Sequence, residues 1–366
     1  MVSKNPFTPN FGQVPLVLAG RDELISELSY ALDNVPGDPS QTSILIGARG
    51  TGKTALLRTM VNTANAGSWV AVSVSCLPGM LEDIIEQVGR TAQKRLLAKS
   101  NKRLTGFTVG SVLGLEWEYR DGQRPNWRSR MSDVLDELDK QGLGLLIAVD
   151  EIDPELDEMI QLSAIYQQFV GEGRRVALFM AGLPHRVSGL LEDKSVSFLR
   201  RSAQYHLEAL DDEDVRAAFL QTVDLSGKAI GDSALDEAIK KIAGFPYMMQ
   251  LVGYRSWQAA GDGAVIDDAD VDSGATMAER DIRTRVLKAT LDELSDGDLA
   301  FLNAMLQSDG PMTSSEIART MGKSSGYVST YKRRLLDQGV IKTLPRGRIE
   351  FALPSLRSYL PDYLSA

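Results

Sequence analysis

The most constraining feature of the chain is a glycine-rich stretch, GARGTGKT, between Gly47 and Thr54. Its spacing fits the pattern G-x-x-x-x-G-K-[ST]. An apolar run, Thr42–Ile46, precedes it, and a segment typical of a helix, Ala55–Ala64, follows it. Glycines let backbone N–H groups turn inward, and the following helix adds the positive end of its dipole. The stretch therefore predicts a loop that surrounds phosphate groups.

Each side chain of this loop has an expected role. Lys53 supplies a positive charge to the β- and γ-phosphates of ATP, and the Thr54 hydroxyl is an expected ligand of Mg²⁺. Arg49 is expected to face solvent. The predicted nucleotide-binding residues of the loop are Gly47, Ala48, Arg49, Gly50, Thr51, Gly52, Lys53, Thr54 and Ala55.

A second motif, LLIAVDEID, covers Leu145–Asp153. It combines an apolar strand with two acidic residues at the strand's end. Asp150 is expected to orient a water bound to Mg²⁺, and Glu151 to polarise the water that attacks the phosphate. A solvated acidic turn is the simpler alternative, but the phosphate loop in the same chain favours a hydrolytic site. An acidic pair of this kind also implies an extra strand between the two strands that carry the motifs.

The rest of the first 210 residues alternates apolar runs with helical patterns. Trp69–Val74, Arg175–Ala181 and Gln204–Leu207 are predicted strands, and strands separated by helices predict a parallel, doubly wound α/β sheet. Residues 104–118, with regularly spaced glycines, are predicted to form an inserted β-hairpin. After Leu210 the pattern predicts helices alone, up to about residue 290.

The C-terminal region has a different pattern. Thr313–Glu316 is a capping box that opens a predicted helix, Ser314–Met321, and a second helix follows over Ser325–Gln338. Two short strands, Val340–Thr343 and Arg348–Leu353, come next. A helix, a helix-turn-helix and a two-stranded wing make up the winged-helix pattern.

Charge is unevenly distributed along the chain. The whole protein has a net charge of −9, but residues 310–350 hold eight Lys and Arg against three acidic residues. A basic module on an acidic body suggests one local anionic partner, and duplex DNA is the expected one. The alternative is a module that packs internally or contacts proteins. The predicted DNA-binding residues are Ser325, Tyr327, Ser329, Thr330, Lys332, Arg333, Arg346 and Arg348.

Composition excludes several other classes of protein. One cysteine, Cys76, and two histidines in 366 residues make an intrachain disulfide impossible and a structural zinc site implausible. The chain has no apolar run long enough to cross a membrane, and Met1–Asn10 lacks the apolar core of a signal peptide. We therefore expect a cytoplasmic protein without a membrane partner.

Taken together, these motifs resemble the AAA+ superfamily. Within it, the chain is most similar to the branch of the origin-recognition ATPases, the archaeal ATPases and their STAND relatives. The resemblance covers most of the chain and rests on both nucleotide motifs and on three further stretches: Gly20–Glu23 (GRDE), Phe198–Ser202 (FLRRS) and Gly244–Pro246 (GFP). It implies a P-loop AAA+ parallel sheet, a helical lid and a C-terminal winged-helix domain.

The resemblance also implies boundaries and further site residues. The expected domains are an N-terminal linker and entry helix (1–40), the ATPase domain (41–210), the lid (211–290) and the winged helix (291–366). Pro246 would lie against the nucleotide base. Arg200 and Arg201 would act as an arginine finger on a neighbouring copy, which implies self-association through the ATPase domain. Equally open is the alternative that both are solvated or paired with acids such as Glu192.

Two departures from the family pattern affect the expected activity. Gly182 stands where the first sensor residue is usually polar, and Tyr247 stands where the second sensor is often arginine. Both losses favour slow hydrolysis. The sequence thus predicts an ATP-dependent switch that binds duplex DNA, with Mg²⁺ as cofactor. The alternative is a STAND-type signalling or defence ATPase whose winged helix contacts protein partners.

Overall fold

The computed structural model describes residues 4–10, 12–33, 37–99 and 126–365. The hairpin predicted at 104–118 lies outside the described residues. The first part of the chain alternates helices and strands: α1 (Asp22–Asp33), β1 (Thr42–Ile46), α2 (Lys53–Ala66), β2 (Trp69–Ser75), α3 (Met80–Lys99), α4 (Trp127–Lys140), β3 (Gly144–Asp150), α5 (Asp157–Gly171), β4 (Val176–Gly182), α6 (Pro184–Glu192) and β5 (Ala203–His206). We call residues 22–206 the sheet domain.

The five strands form one parallel sheet in the order β2-β3-β4-β1-β5. β4 therefore lies between the two motif-bearing strands, β1 and β3, and the prediction of an extra strand there is confirmed. The register pairs Ile46 with Gly182 and Ser75 with Asp150. As a result, the carboxyl ends of all five strands meet at one edge of the sheet, which is where open α/β sheets bind their ligands.

Both faces of the sheet are covered, as expected for parallel strands that are apolar along their whole length. On one face, α1 and α2 enclose a buried cluster that includes Leu56, Met60 and Phe179. On the other face, α3, α4 and α5 enclose a second cluster that includes Ile84 and Met131. The sheet domain therefore has its own hydrophobic core on each side of the sheet.

The lid (residues 212–282) follows the sheet. It consists of α7 (Asp212–Leu225), β6 (Ala229–Ile230), α8 (Asp232–Ile242), α9 (Pro246–Ala259), β7 (Val265–Ile266) and α10 (Asp268–Ile282). The prediction of helices alone is wrong here, because β6 and β7 pair in parallel. Strands of two residues are too short to show the alternation that sequence patterns detect.

The C-terminal module (residues 283–365) begins with a π-helical turn, Arg283–Leu287. It continues with α11 (Lys288–Asp292), α12 (Asp296–Met305), α13 (Ser314–Met321), α14 (Ser325–Asp337), β8 (Ile341–Thr343), β9 (Ile349–Phe351) and α15 (Leu356–Ser365). The capping box forms as predicted, with the Thr313 N–H donating to Glu316 Oε2 at 2.7 Å. β8 and β9 pair antiparallel, so the predicted order of helices and hairpin is observed.

One continuous cluster of buried residues joins the lid to the C-terminal module. It includes Phe219, Leu251 and Leu287 and extends to Leu360. Phe7 of the N-terminal segment also belongs to it, with its ring 5.0 Å from that of Phe219.

Among the residues that the structure describes, none of the helices is both long and apolar enough to cross a bilayer.

Candidate functional site

The glycine-rich loop connects β1 to α2 at the carboxyl edge of the sheet. Gly50 and Gly52 have φ values of +84° and +90°, a region that side chains other than glycine's disfavour. Gly47 lies so close to its neighbours that a Cβ there would be 2.8 Å from the carbonyl oxygen of Leu207. A side chain at any of these three positions would strain the backbone or clash with a neighbour. The glycines thus give the loop the open backbone that a phosphate group requires.

Lys53 begins α2 and points back over the loop. Its Nζ donates to the carbonyl oxygens of Gly47 at 2.8 Å and Ala48 at 2.7 Å. Burial lowers the pKa of Lys53 to about 8, while the negative charge of Asp150 opposes this shift. A phosphate anion beside the ammonium group would favour its charged form. The residue is thus positioned to exchange two carbonyl contacts for phosphate oxygens.

Thr54 and Asp150 meet at the end of β3. The Thr54 hydroxyl donates to Asp150 Oδ2 at 2.6 Å. Hydroxyl and carboxylate oxygens are ligands that Mg²⁺ accepts, and this ion usually completes its shell with water and phosphate oxygens. Within the described residues, no group of three or more His, Cys, Asp and Glu side chains could hold a metal ion. The two oxygens fit a magnesium ion held jointly with a nucleotide.

Glu151 has an unusual backbone conformation for a residue other than glycine. Its φ is +58°, and its N–H donates to Asp150 Oδ1 at 3.0 Å. Such a conformation costs free energy and occurs often at active sites. Here it directs the chain away from the sheet directly after Asp150 and leaves Glu151 exposed in the wall of the cavity in front of the loop. The carboxylate is therefore accessible to a water molecule there.

A cavity of about 670 Å³ opens in front of the loop. The sheet domain forms one side, with Lys53, Thr54, Asp150 and Glu151, and the lid forms the other, with Pro246 among its residues. This volume lies in the range of small-molecule sites. The predicted residues Arg49, Gly50, Thr51, Gly52 and Ala55 also line it.

The N-terminal segment closes a third side of the cavity. Thr8 donates its N–H to Gln250 Oε1 of the lid at 2.9 Å, and Arg58 of α2 donates to the carbonyl oxygen of Gly12. Val17, a few residues further on, also lines the cavity. Sequence reasoning missed this role because the segment is irregular and its contacts are distant in the chain.

The start of α9 touches the tip of the loop. The Tyr247 N–H donates to the Gly50 carbonyl oxygen at 3.2 Å, and a Cβ on Gly50 would meet the Phe245 ring at 2.7 Å. On the sheet side, Gly182 packs against Ile152 and Val187, where a Cβ would lie 3.1 Å from either. Neither Gly182 nor Tyr247 places a charge in the site.

The structure corrects the expectation for Arg49, and it places Arg200 and Arg201 outside the cavity. Arg49 does not simply face solvent, because it is half-buried and pairs with Glu293 of the C-terminal module at 2.7 Å. Arg200 donates through Nε to the Leu191 carbonyl oxygen at 2.7 Å. Arg201 is exposed, and neither residue lines the cavity. Glu192 does not pair with them but lies 4.0 Å from Arg333.

The C-terminal module packs directly on the nucleotide loop. Gly339, just after α14, has a φ of +69°, and a Cβ there would lie 2.6 Å from the Cβ of Ala48. Nearby, His185 Nδ1 lies 3.3 Å from the carbonyl oxygen of Asp337, at the end of α14. With the Arg49–Glu293 pair, these contacts join the module to both the loop and the end of β4.

The predicted DNA-binding residues lie mostly on the outer surface of the module. Exposed members of the set are Ser325, Ser329, Thr330, Arg333, Arg346 and Arg348. Tyr327 is half-buried, with its ring 4.6 Å from that of Tyr331, and Lys332 is half-buried too. Arg333 lies 3.8 Å from Asp337 on its own helix. The exposed residues fall on α14 and on the hairpin that connects β8 to β9.

Comparisons with known proteins agree with this architecture. Residues 17–180 match the family model described as an AAA ATPase domain. Residues 284–360 match a model described as a domain of unknown function, DUF8462. The search of curated proteins gives no match.

Three of the similar solved structures align over nearly the whole chain. A Walker-type ATPase of Pyrococcus abyssi aligns with a TM-score of 0.70 at 15% identity, covering 94% of this chain and 96% of its own. The ORC2 protein of Aeropyrum pernix, in ADPNP–ADP complexes, gives 0.62 at 13% identity, covering 98% of each chain. CDC6P from Pyrobaculum aerophilum gives 0.52 at 16%, covering 98% and 97%. The sheet and its helices thus have the P-loop AAA+ ATPase fold.

Proposed function

We propose that this P-loop ATPase, whose residues 17–180 match an AAA ATPase domain, is an ATP-dependent switch that binds duplex DNA through its C-terminal module. The observation that carries the nucleotide half is the arrangement of Lys53, Thr54, Asp150 and Glu151 around one cavity. The observation that carries the DNA half is the exposed basic surface formed by α14 and the β8–β9 hairpin.

Each residue of the site has a defined task in hydrolysis. Lys53 would leave the loop carbonyls to bind the β- and γ-phosphates. Thr54 and Asp150 are the residues that would hold Mg²⁺, which would supply neutralisation of the charge on the phosphate oxygens. Glu151 orients a water molecule toward the γ-phosphate and accepts its proton. Pro246 bounds the space for the base from the lid side.

The same geometry favours slow turnover. A fast ATPase stabilises the charge that develops on the transferred phosphate with positioned donors. Gly182 brings no side chain to the end of β4, and Tyr247 brings no charge to the start of α9. A slow ATPase suits a switch, because the bound nucleotide persists long enough to define a state.

The order of helices and hairpin in the C-terminal module, together with its charge, supports the proposal of a winged helix that reads duplex DNA. Residues 310–350 carry a strong excess of positive charge. Ser325, Ser329 and Thr330 are exposed on α14, where they would meet base edges. Arg346 and Arg348 are exposed on the hairpin, where they would meet phosphates.

A salt series tests the DNA half. We expect the affinity for a duplex, measured by fluorescence anisotropy, to fall steeply with salt. Replacing both Arg346 and Arg348 by alanine should reduce the slope of log K against log[salt] by about 2. The lid pair Lys240→Ala with Lys241→Ala removes the same charge elsewhere and should leave the slope unchanged. The series is run with wild type and Glu151→Gln, with and without ATP.

A second candidate function is favoured by the contact between the C-terminal module and the loop. Gly339 packs on Ala48, and Glu293 pairs with Arg49. A module that touches the nucleotide loop can transmit the state of the nucleotide to a protein partner, as in a STAND-type signalling or defence ATPase. No DNA binding at low salt, together with oligomers that form only with ATP, would decide for this candidate.

Self-association would bring Arg200 and Arg201 toward a neighbouring copy. Both lie outside the cavity of their own chain, as an arginine that acts on the nucleotide of a neighbouring copy must. Mixing Arg200→Ala/Arg201→Ala copies with Glu151→Gln copies tests this. Each variant lacks one half of the site, so turnover should return in the mixture if the arginines act across a boundary. Turnover that stays low in the mixture would contradict the finger role.

A further inference from the structure

The π-helical turn at the start of the C-terminal module places a cation at the cavity. Arg285 and Val286 of the turn Arg283–Leu287 line the cavity that holds the nucleotide site. Short π-helical segments are rare and occur often at functional sites. Arg283 of the same turn points the other way, with its guanidinium 5.8 Å from the ring of Tyr359. Arg283 of this turn therefore contacts α15, and Arg285 lines the cavity.

Arg285 differs from the other cations around the cavity. Arg49 is paired with Glu293 and Arg186 with Asp153, and Arg21 donates to the Glu208 carbonyl oxygen. Lys53 donates to two loop carbonyls. Arg285 is exposed and forms no ion pair or hydrogen bond within the described parts of the chain. Its charge is thus available to an anion in the cavity.

Helix packing places Arg285 near the tip of the nucleotide loop. α9 and α10 pack closely, and a Cβ on Gly274 of α10 would lie 2.5 Å from the backbone nitrogen of Ser256 in α9. The short connection between these helices makes them antiparallel. The eight residues from Gly274 to Ile282 rise about 12 Å, which brings the end of α10 level with the start of α9.

The start of α9 is fixed to the loop by the Tyr247–Gly50 hydrogen bond of 3.2 Å. Further along the same helical stack, Glu293 pairs with Arg49. The stretch that carries Arg285 is therefore flanked by two contacts with adjacent residues at the loop's tip. Because the loop backbone surrounds the β- and γ-phosphates, these two contacts favour a position of Arg285 beside the phosphates.

We propose that Arg285 binds the γ-phosphate of ATP and so lets the protein distinguish ATP from ADP. This inference rests on the proposed nucleotide site. It gives the C-terminal module a direct contact with the phosphate that hydrolysis removes, and a guanidinium suits that task because its fork of donors matches phosphate oxygens. Arg285 lies within the DUF8462 match and outside the AAA ATPase match.

The test compares affinities for ATP and ADP, both with Mg²⁺, in a Glu151→Gln background that prevents turnover. Arg285→Ala should weaken ATP about tenfold, as expected for a lost charge-assisted contact, and ADP less than about threefold. Arg285→Lys should recover part of the loss. Lys288→Ala, an exposed cation of the next helix that does not line the cavity, is the matched control and should change neither affinity.

Two results would overturn the proposal. Equal weakening of ATP and ADP would show a general electrostatic or structural effect, and unchanged affinities would show that Arg285 does not touch the nucleotide. A wild-type protein that binds neither nucleotide would instead refute the nucleotide site itself, so the two failures are distinct. The melting temperature of each nucleotide-free variant confirms that it is folded.

Discussion

The sheet domain and the region formed by the lid and the C-terminal module hold their functional groups in different ways. In the sheet domain, Lys53, Thr54, Asp150 and Glu151 lie at or after the ends of β1 and β3 and line one cavity. In the other region, the groups that reach the cavity come from helix starts and turns, such as Pro246 and Arg285. We therefore propose that the chemistry takes place at the edge of the sheet and that the sensing depends on the lid and the C-terminal module.

The largest effect is expected at Glu151. Glu151→Gln removes the general base and should lower turnover about 10²- to 10⁴-fold, while the affinity for ATP stays near that of wild type. Steady-state turnover and nucleotide titration measure the two quantities. Turnover close to wild type would show that Glu151 is not the base, and the division of tasks described above would then fail on the sheet side.

Lys53→Ala should abolish measurable nucleotide binding. Truncating one member of a hydrogen-bonded charge pair in a desolvated site costs about 2–5 kcal/mol, and Lys53 is the cation at the centre of the loop. Titration with a fluorescent nucleotide measures the loss, with Lys240→Ala in the lid as control. Normal binding by Lys53→Ala would refute the assignment of the site.

Gly339→Ala tests the contact between the two regions. Its added Cβ would lie 2.6 Å from the Ala48 Cβ, and overpacking of this kind costs about 1–3 kcal/mol. The left-handed backbone adds about 1–2 kcal/mol. Gly322→Ala is the matched control, since Gly322 has a φ of +62° but no neighbour within 4 Å of a Cβ. Chemical denaturation should show the larger loss for Gly339→Ala, and equal losses would contradict the packing.

The smallest effect is expected for the ion pair at the loop. Arg49 and Glu293 are 40% and 57% exposed, and pairs of this kind contribute about 0–1 kcal/mol. A double-mutant cycle with Arg49→Ala and Glu293→Ala, measured without nucleotide, should give a coupling free energy below about 1 kcal/mol that falls with salt. A larger value would mean that this pair, not the packing of Gly339, holds the regions together.

Local motifs made the sheet side of the site predictable. Glycine spacing sets the backbone conformation of the loop. The acidic pair follows an apolar strand, which places both acidic residues at the carboxyl edge of the sheet. The strand between β1 and β3 followed from the same motif. Those inferences needed only residues close together in sequence, because the conformation of each stretch is set by its own composition.

Contacts between distant parts of the chain could not be predicted. Arg49 pairs with a residue more than 200 positions away, and Thr8 joins Gln250 across a similar separation. No periodicity or composition encodes such a contact, because it depends on how two finished elements pack. Arg285 was missed for the same reason. A lone arginine after a helix has no pattern of its own, and its place in the wall of the cavity depends on how α9 and α10 pack.

The core shared by the lid and the C-terminal module has a consequence for unfolding. Phe7, near the first residue, and Leu360, near the last, are buried in one cluster, whereas the sheet has separate clusters of its own. Buried clusters of this kind define cooperative units. The two ends of the chain should therefore melt together, and the sheet should melt as another unit. A ligand in the cavity touches both and would raise the lower transition toward the higher one. Calorimetric scans should then show two peaks that approach each other as ATP is added.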